Sequence, residues 1–157
     1  MNKIPMTSEG YVKLQEELKK LTSEDRPNII AAIAEARGHG DLSENAEYQY
    51  AKEQQSLIEG RIADLESSIS RAEVIDIKNI TGNSIKFGAT VEIEDDDTGK
   101  KQKYQIVGEY ESDIENKKIS INSPLARGLI GKSKDDTVEI NSPKGVKSYT
   151  IISVKFI

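Results

Sequence analysis

Apolar residues recur at two different spacings along this chain of 157 residues. In residues 6–72 they follow steps of three and four, which is the period of an amphipathic helix. From residue 73 onward, β-branched and aromatic residues alternate with polar ones, which is the period of a half-buried strand. The change of period predicts two domains, a helical one over residues 1–74 and a strand-rich one over residues 75–157.

The helical half contains two apolar stripes joined by a short loop. The second stripe follows a coiled-coil pattern with one polar position and consists of Tyr48, Ala51, Gln55, Ile58, Ile62, Leu65, Ile69 and Ala72. Two such stripes joined by about five residues bury each other by folding back as a hairpin. The pattern therefore predicts an antiparallel coiled-coil finger, in which Leu18 faces Ile62 and Ile33 faces Tyr48, with its tip at residues 38–48.

The first stripe is interrupted at Pro27. Ile29 and Ile33 resume the rhythm one residue out of phase with Leu14 and Leu18. Proline lacks an N–H and disturbs the preceding helical turn, so we expect a break, kink or phase shift there.

The second half is predicted to be a small antiparallel sheet. Its strand-like runs are "VIDIK", "SIKFGATVEIED", "QKYQIVGEY", "KKISI", "TVEIN" and "KSYTIISVKF". One segment reads instead as a short helix, with Ser123 as cap, Pro124 at the first position and Gly131 just after the end. The chain as a whole is thus predicted to be an α+β protein, a helical hairpin followed by a sheet domain with one helix.

Composition excludes several classes of function. The chain has no cysteine and one histidine, His39, which leaves no residues for thiol chemistry, a cysteine zinc site or a two-histidine metal site. The formal net charge of −5 argues against wholesale binding to nucleic-acid phosphates. No run is apolar enough for a membrane span or a signal peptide, which predicts a cytoplasmic location.

The stretch "GHGDLSENAEY" at the tip, residues 38–48, carries three carboxylates, on Asp41, Glu44 and Glu47. One interpretation is a capping box, with Asp41 as N-cap and Glu44 three residues later. That interpretation does not explain an apolar Leu42 at the tip or the third negative charge. The other interpretation is functional. Two carboxylates are too few to hold Mg²⁺ unaided, but they could complete the metal site of another protein.

Four motifs resemble those of bacterial transcript-cleavage factors of the Gre family: "AAIAEARGHGDLSENAEYQYAKEQQ", "EGRIADLE", "FGATVEIED" and "INSPLARGLIGK". The finger lacks a long basic stripe, and in this it resembles the GreA type. The resemblance covers essentially the whole chain. It implies a coiled-coil finger followed by an FKBP-like α+β domain that is not expected to isomerise proline.

The resemblance also implies a mechanism. The C-terminal domain would bind RNA polymerase at the rim of its secondary channel, and the finger would enter the channel. In a backtracked complex, carboxylates matching Asp41 and Glu44 would share Mg²⁺ with the aspartates of the polymerase, whose active centre then cleaves the nascent RNA. The two residues would thus assist catalysis in trans. The chain would have no cofactor of its own and would not be an enzyme by itself.

Partner contacts follow from the same resemblance. Arg37, Tyr48 and Lys52 are expected to contact the RNA 3′ end or the channel wall, and Arg127 is a candidate for docking on the polymerase. DNA would be bound only indirectly, through the elongation complex, and the chain is expected to be a monomer.

Gly38 and Ser43 occupy positions at which relatives commonly carry charged residues. This difference reduces the charge of the tip and concerns the efficiency of cleavage, not its mechanism. Two alternatives stay open: a channel-occupying regulator that inhibits polymerase without stimulating cleavage, and a coiled-coil adaptor or holdase with a capped tip.

Overall fold

A computed structural model describes residues 2–40 and 45–157 of the chain. Tyr11–Ala72 form most of one compact unit, and Lys3–Gly10 together with Glu73–Ile157 form the second. The α+β class predicted from the two periods is confirmed. Residues 3–10, which lie within the range predicted for the finger, group with the second unit, because strand β1 (Ile4–Thr7) pairs with strand β2 (Ala72–Ile75).

The helices of the first unit are interrupted where the sequence predicts a phase shift. Helix α1 (Ser8–Lys20) continues into a π-helical turn (Leu21–Asp25) and then into α2 (Arg26–Arg37). The Arg26 N–H donates to the carbonyl of Leu21, five residues back. Pro27 offers no N–H to the regular ladder, and a π-turn accommodates one extra residue there, so the apolar stripe changes phase.

Helix α3 (Ala46–Ser70) packs against α2. The packing is antiparallel, because Arg61 binds Glu17 while Arg26 binds Glu59. The buried positions of the first unit come from both predicted stripes, with one serine, and are Leu14, Ile33, Ala36, Ala51, Ile62, Leu65 and Ser68.

The second unit contains a five-stranded sheet in the order β5-β4-β3-β7-β6. Its strands are β3 (Thr90–Asp95), β4 (Lys101–Val107), β5 (Lys118–Ser120), β6 (Thr137–Ser142) and β7 (Gly145–Lys155). All neighbouring pairs are antiparallel except β4 with β5, which is parallel. The connection from β4 to β5 contains 3₁₀ turns at Glu109–Glu111 and Ile114–Asn116, and it carries the chain back to start β5 in the direction of β4.

Helix α4 (Pro124–Leu129) packs on β6, and its signals were predicted correctly. The Ser123 hydroxyl accepts the N–H of Ala126, and Gly131 adopts a positive φ of 84°. Together with the inner sheet face, the helix closes a core of Ile85, Ala89, Val91, Ile93, Ile106, Ile119, Ala126, Leu129, Val138, Ile140 and Ile151.

Two predicted strands are shorter than their alternating patterns. In "VIDIK" the strand ends at Ile75, because the Asp76 carboxylate accepts the N–H of Lys78 and starts a 3₁₀ turn. In "SIKFGATVEIED" regular pairing begins only at Thr90. Gly88 precedes it with a φ of 87°, a conformation that does not belong to a strand.

The start of α1 is fixed within the second unit. The Thr7 hydroxyl accepts the N–H of Gly10 at 3.1 Å, so Thr7 is the N-cap of α1. Glu111 accepts the Thr7 N–H at 3.0 Å and also binds its hydroxyl.

Candidate functional site at the turn of the hairpin

The predicted acidic tip lies at the turn between α2 and α3. Helix α2 ends at Arg37 and α3 begins at Ala46. Asp41 and Glu44, the predicted metal ligands, lie outside the described residues, as does Leu42. The described residues place no group of three or more potential metal ligands together.

The N-cap of α3 is Asn45. Its side-chain oxygen accepts the N–H of Tyr48 at 3.0 Å, which satisfies one of the free donors of the first turn. The capping-box interpretation gave this role to Asp41. Because the described helix already has its cap at Asn45, α3 does not need Asp41 for that purpose.

Asn45 also bonds back to the end of the first arm. Its amide nitrogen donates to the carbonyl of Ala36 at 2.6 Å. The same carbonyl accepts the N–H of His39 at 3.2 Å. One side chain therefore joins the last turn of α2 to the first turn of α3.

Arg37 and Tyr48 contact each other on the two sides of the turn. The guanidinium carbon of Arg37 lies 6.0 Å from the centre of the Tyr48 ring, within reach of a cation–π interaction. Arg37 is exposed and Tyr48 is half-buried. The Tyr48 ring thus lies beside the guanidinium of Arg37, which is an exposed residue.

Lys52 lies one turn further along α3 and borders a shallow groove between the two helices. The groove has a volume of about 230 Å³ and is lined by Ile30, Ile33, Ala34, Arg37, Lys52 and Gln55. Among the described residues that line it, three are apolar and the two charged ones, Arg37 and Lys52, are both cations. The Lys52 ammonium lies 3.3 Å from the side-chain oxygen of Gln55.

His39 and Glu47 form an exposed pair at the same end of the hairpin. The Nδ1 atom of His39 lies 3.2 Å from Oε2 of Glu47. The side chains are 52% and 73% exposed, respectively. The single histidine of the chain is thus an exposed residue whose partner is Glu47.

Arg127, the docking candidate, lies on α4 in the second unit and is exposed. Arg37, Tyr48 and Lys52 all belong to the first unit. Within residues 2–40 and 45–157, no helix has the length and apolar character needed to cross a membrane.

The sequence matches two family models that together cover nearly the whole chain. Residues 4–74 match the N-terminal domain of transcription elongation factors, and residues 80–156 match the C-terminal domain of GreA/GreB transcription elongation factors. The chain therefore belongs to the GreA/GreB family of transcription elongation factors.

Individual relatives bear the same family name. Transcription elongation factor GreA of Bradyrhizobium diazoefficiens is 61% identical over 156 residues, covering 99% of both chains. The GreA protein of Phenylobacterium zucineum is 55% identical over 157 residues, covering 100% of both. Among solved structures, GreA factor homolog 1 of Thermus thermophilus is 26% identical, with 98% of this chain and 99% of that chain covered and a TM-score of 0.46.

Sequence reasoning missed the role of Asn45. The residue stood within the quoted motif, and asparagine is among the preferred N-cap residues, so its position before a helical stripe was the available signal. Its second bond, to Ala36, depends on how closely the two arms approach and is not visible in a linear pattern.

Proposed function

We propose that this protein stimulates RNA polymerase to cleave its own backtracked transcript. The hairpin enters the secondary channel of the polymerase, and Asp41 and Glu44 supply oxygen ligands to a Mg²⁺ ion that the polymerase holds only in part. When bound, that ion would supply the activation of water for hydrolysis of an internal phosphodiester bond, which would leave a new 3′ end. The protein has no turnover of its own, because its two carboxylates do not make a complete site.

The observation that supports this proposal is the place of the acidic motif in the sequence relative to the described helices. The segment with Asp41 and Glu44 follows α2 and precedes α3, the two antiparallel helices of the hairpin, in a chain whose two halves match a transcription elongation factor family. A turn at the end of two packed helices is the part of a hairpin that can meet a foreign active centre first.

The groove beside the turn supports contact with an extruded RNA 3′ end. Arg37 and Lys52 are the charged residues among the described lining of the groove, and both are cations that would attract phosphate groups. Tyr48, which is half-buried and in contact with Arg37, is the aromatic residue on which a base could stack.

The second unit would dock on the polymerase, with Arg127 of α4 as the candidate contact. Its exposure on a short helix anchored by Ala126 and Leu129 makes it available to a partner. The protein would act as a monomer in the cytoplasm and would approach DNA only through the elongation complex.

The experiment uses stalled, backtracked elongation complexes with purified factor and Mg²⁺. Wild-type protein should shorten the RNA, whereas Asp41→Asn with Glu44→Gln should lose cleavage by about 10²-fold or more, the usual effect of removing a group that stabilises the reacting centre. Binding to polymerase, measured by competition, should be unchanged.

A matched control is Glu47→Gln, which removes a nearby negative charge outside the proposed ligand pair. We expect it to retain most of the cleavage activity. Full cleavage by the double variant would refute the ligand role. If the wild-type protein binds polymerase and slows it without cleavage, the inhibitory alternative is correct instead.

A further inference from the structure

We propose that Asn45 is a positioning residue for transcript cleavage, because its side chain bonds to both helices that flank the acidic turn. This inference rests on the proposed function. Asn45 would not touch metal or RNA. It would act through Asp41 and Glu44 by fixing the two chain ends from which their segment departs.

Both bonds come from the one amide group of Asn45. The Oδ1 atom accepts the Tyr48 N–H at 3.0 Å, and the Nδ2 atom donates to the Ala36 carbonyl at 2.6 Å. A helix leaves free N–H groups at its start and free carbonyls at its end. Asn45 satisfies one such N–H of α3 and gives a second bond to a carbonyl of the last turn of α2, which also accepts the N–H of His39.

The surroundings make this bridge rigid. Ala36 is 3% exposed and Asn45 is half-buried, so water competes only weakly for the Ala36 carbonyl. Ile33 of α2 and Ala51 of α3 are also buried, and the two helices pack against each other. With the bridge in place, residue 45 cannot move away from residue 36 without breaking a bond in a partly dry site.

A precise span matters for a shared metal site. Residues that orient metal ligands without touching the metal typically contribute about 10–100-fold to metal affinity or activity. A displacement of about 1 Å at a reacting centre can cost about 10²-fold in rate. Loss of the two Asn45 bonds should therefore raise the Mg²⁺ concentration needed for cleavage by a large factor, while the stability of the fold changes only modestly.

Two substitutions separate the bridge from the cap. Asn45→Ser keeps a good N-cap oxygen for α3 but is too short to reach Ala36, while Asn45→Ala removes both bonds. The thermal midpoint should stay near the wild-type value for the serine variant and fall for the alanine variant. Cleavage at limiting Mg²⁺ should fall by about tenfold or more in both.

The decisive readout is the Mg²⁺ concentration that gives half-maximal cleavage in backtracked complexes at saturating factor. For Asn45→Ser we expect it to rise by about tenfold, with unchanged competition for polymerase and substantial recovery at high Mg²⁺. A merely structural role would leave this concentration unchanged.

The proposal is overturned if Asn45→Ser cleaves like wild type, or if its loss of cleavage only follows a loss of polymerase binding. These outcomes differ from those expected if the proposed function itself is wrong. If the proposed function is wrong, wild-type protein will not stimulate cleavage, or the variant lacking the Asp41 and Glu44 carboxylates will still stimulate it.

Discussion

Arg61 of α3 binds Glu17 of α1 through two hydrogen bonds, of 2.9 Å from Nε and 2.8 Å from Nη2. This fork geometry requires the planar guanidinium, so lysine cannot reproduce it. Both side chains are 41% exposed, which limits the energy through solvent screening. We expect Arg61→Lys to lower the free energy of unfolding by about 0.5 kcal/mol.

Urea unfolding at low and high salt would measure this effect. The difference between Arg61→Lys and wild type should shrink at high salt, since exposed ion pairs are screened. A loss of several kcal/mol, independent of salt, would mean that Arg61 contributes through packing and not through the pair.

Two glycines should respond in opposite ways to the same substitution. Gly60 lies inside α3 with open space where a Cβ would stand, so Gly60→Ala should raise the free energy of unfolding by about 0.5–1 kcal/mol. Gly88 has a φ of 87°, and an added Cβ would lie 2.2 Å from the side chain of Ile77. Gly88→Ala should therefore destabilise, by about 1–3 kcal/mol.

Thermal and urea unfolding of the two variants, side by side with wild type, would check both signs. Equal stability of the two would contradict the geometry of Gly88. The pair is its own control, because each variant adds the same methyl group.

Asp96 predicts a contribution to stability that depends on pH. Its carboxylate accepts the hydroxyls of Ser148 at 2.6 Å and Thr150 at 2.7 Å, and these bonds lower the pKa of Asp96 below its usual value. Since the pKa is lower in the folded state, the contribution is complete above the unfolded-state pKa. It is lost as the pH falls through the folded-state pKa.

We therefore expect Ser148→Ala with Thr150→Val to be less stable than wild type near neutral pH. The difference should vanish in acid, where Asp96 is protonated in both proteins. Urea unfolding across a pH series would measure it, and a difference that stays constant into strong acid would assign the effect to packing in β7.

Lys52 should contribute an electrostatic contact to RNA. Lys52→Gln removes one cation from the groove while keeping a side chain of similar length. In backtracked complexes, the factor concentration for half-maximal cleavage should rise. Its logarithmic dependence on salt should become shallower by about 0.7, the value for one phosphate contact on a single strand. Lys19→Gln, at an exposed lysine in the last turn of α1, is the control and should leave the salt dependence unchanged.

Much of the fold could be predicted because its signals are local. The two periods separated helices from strands, Pro27 marked the change of phase, and Ser123 with Gly131 marked the limits of α4. Each of these depends on residues within a turn or two, so the linear pattern contains the necessary information.

Other features depend on contacts between distant parts of the chain. The parallel pairing of β5 with β4, the early end of "VIDIK" and the grouping of residues 3–10 with the sheet were not in the pattern. Hydrophobic alternation shows which face of a strand is buried, but it does not show which neighbour that strand pairs with or in which direction.

The candidate site divides in the same way. The sequence alone determined the acidic motif with Asp41 and Glu44, because a motif is a matter of residue identity and spacing; its role in shared metal ligation stays a prediction that the resemblance to Gre factors implies. Only the tertiary structure decided that Asn45 joins Ala36 to Tyr48 and that Arg37 contacts the Tyr48 ring. The physical reason is that such bonds form only where two packed helices approach closely, and the closeness of that approach is set by the buried side chains of both.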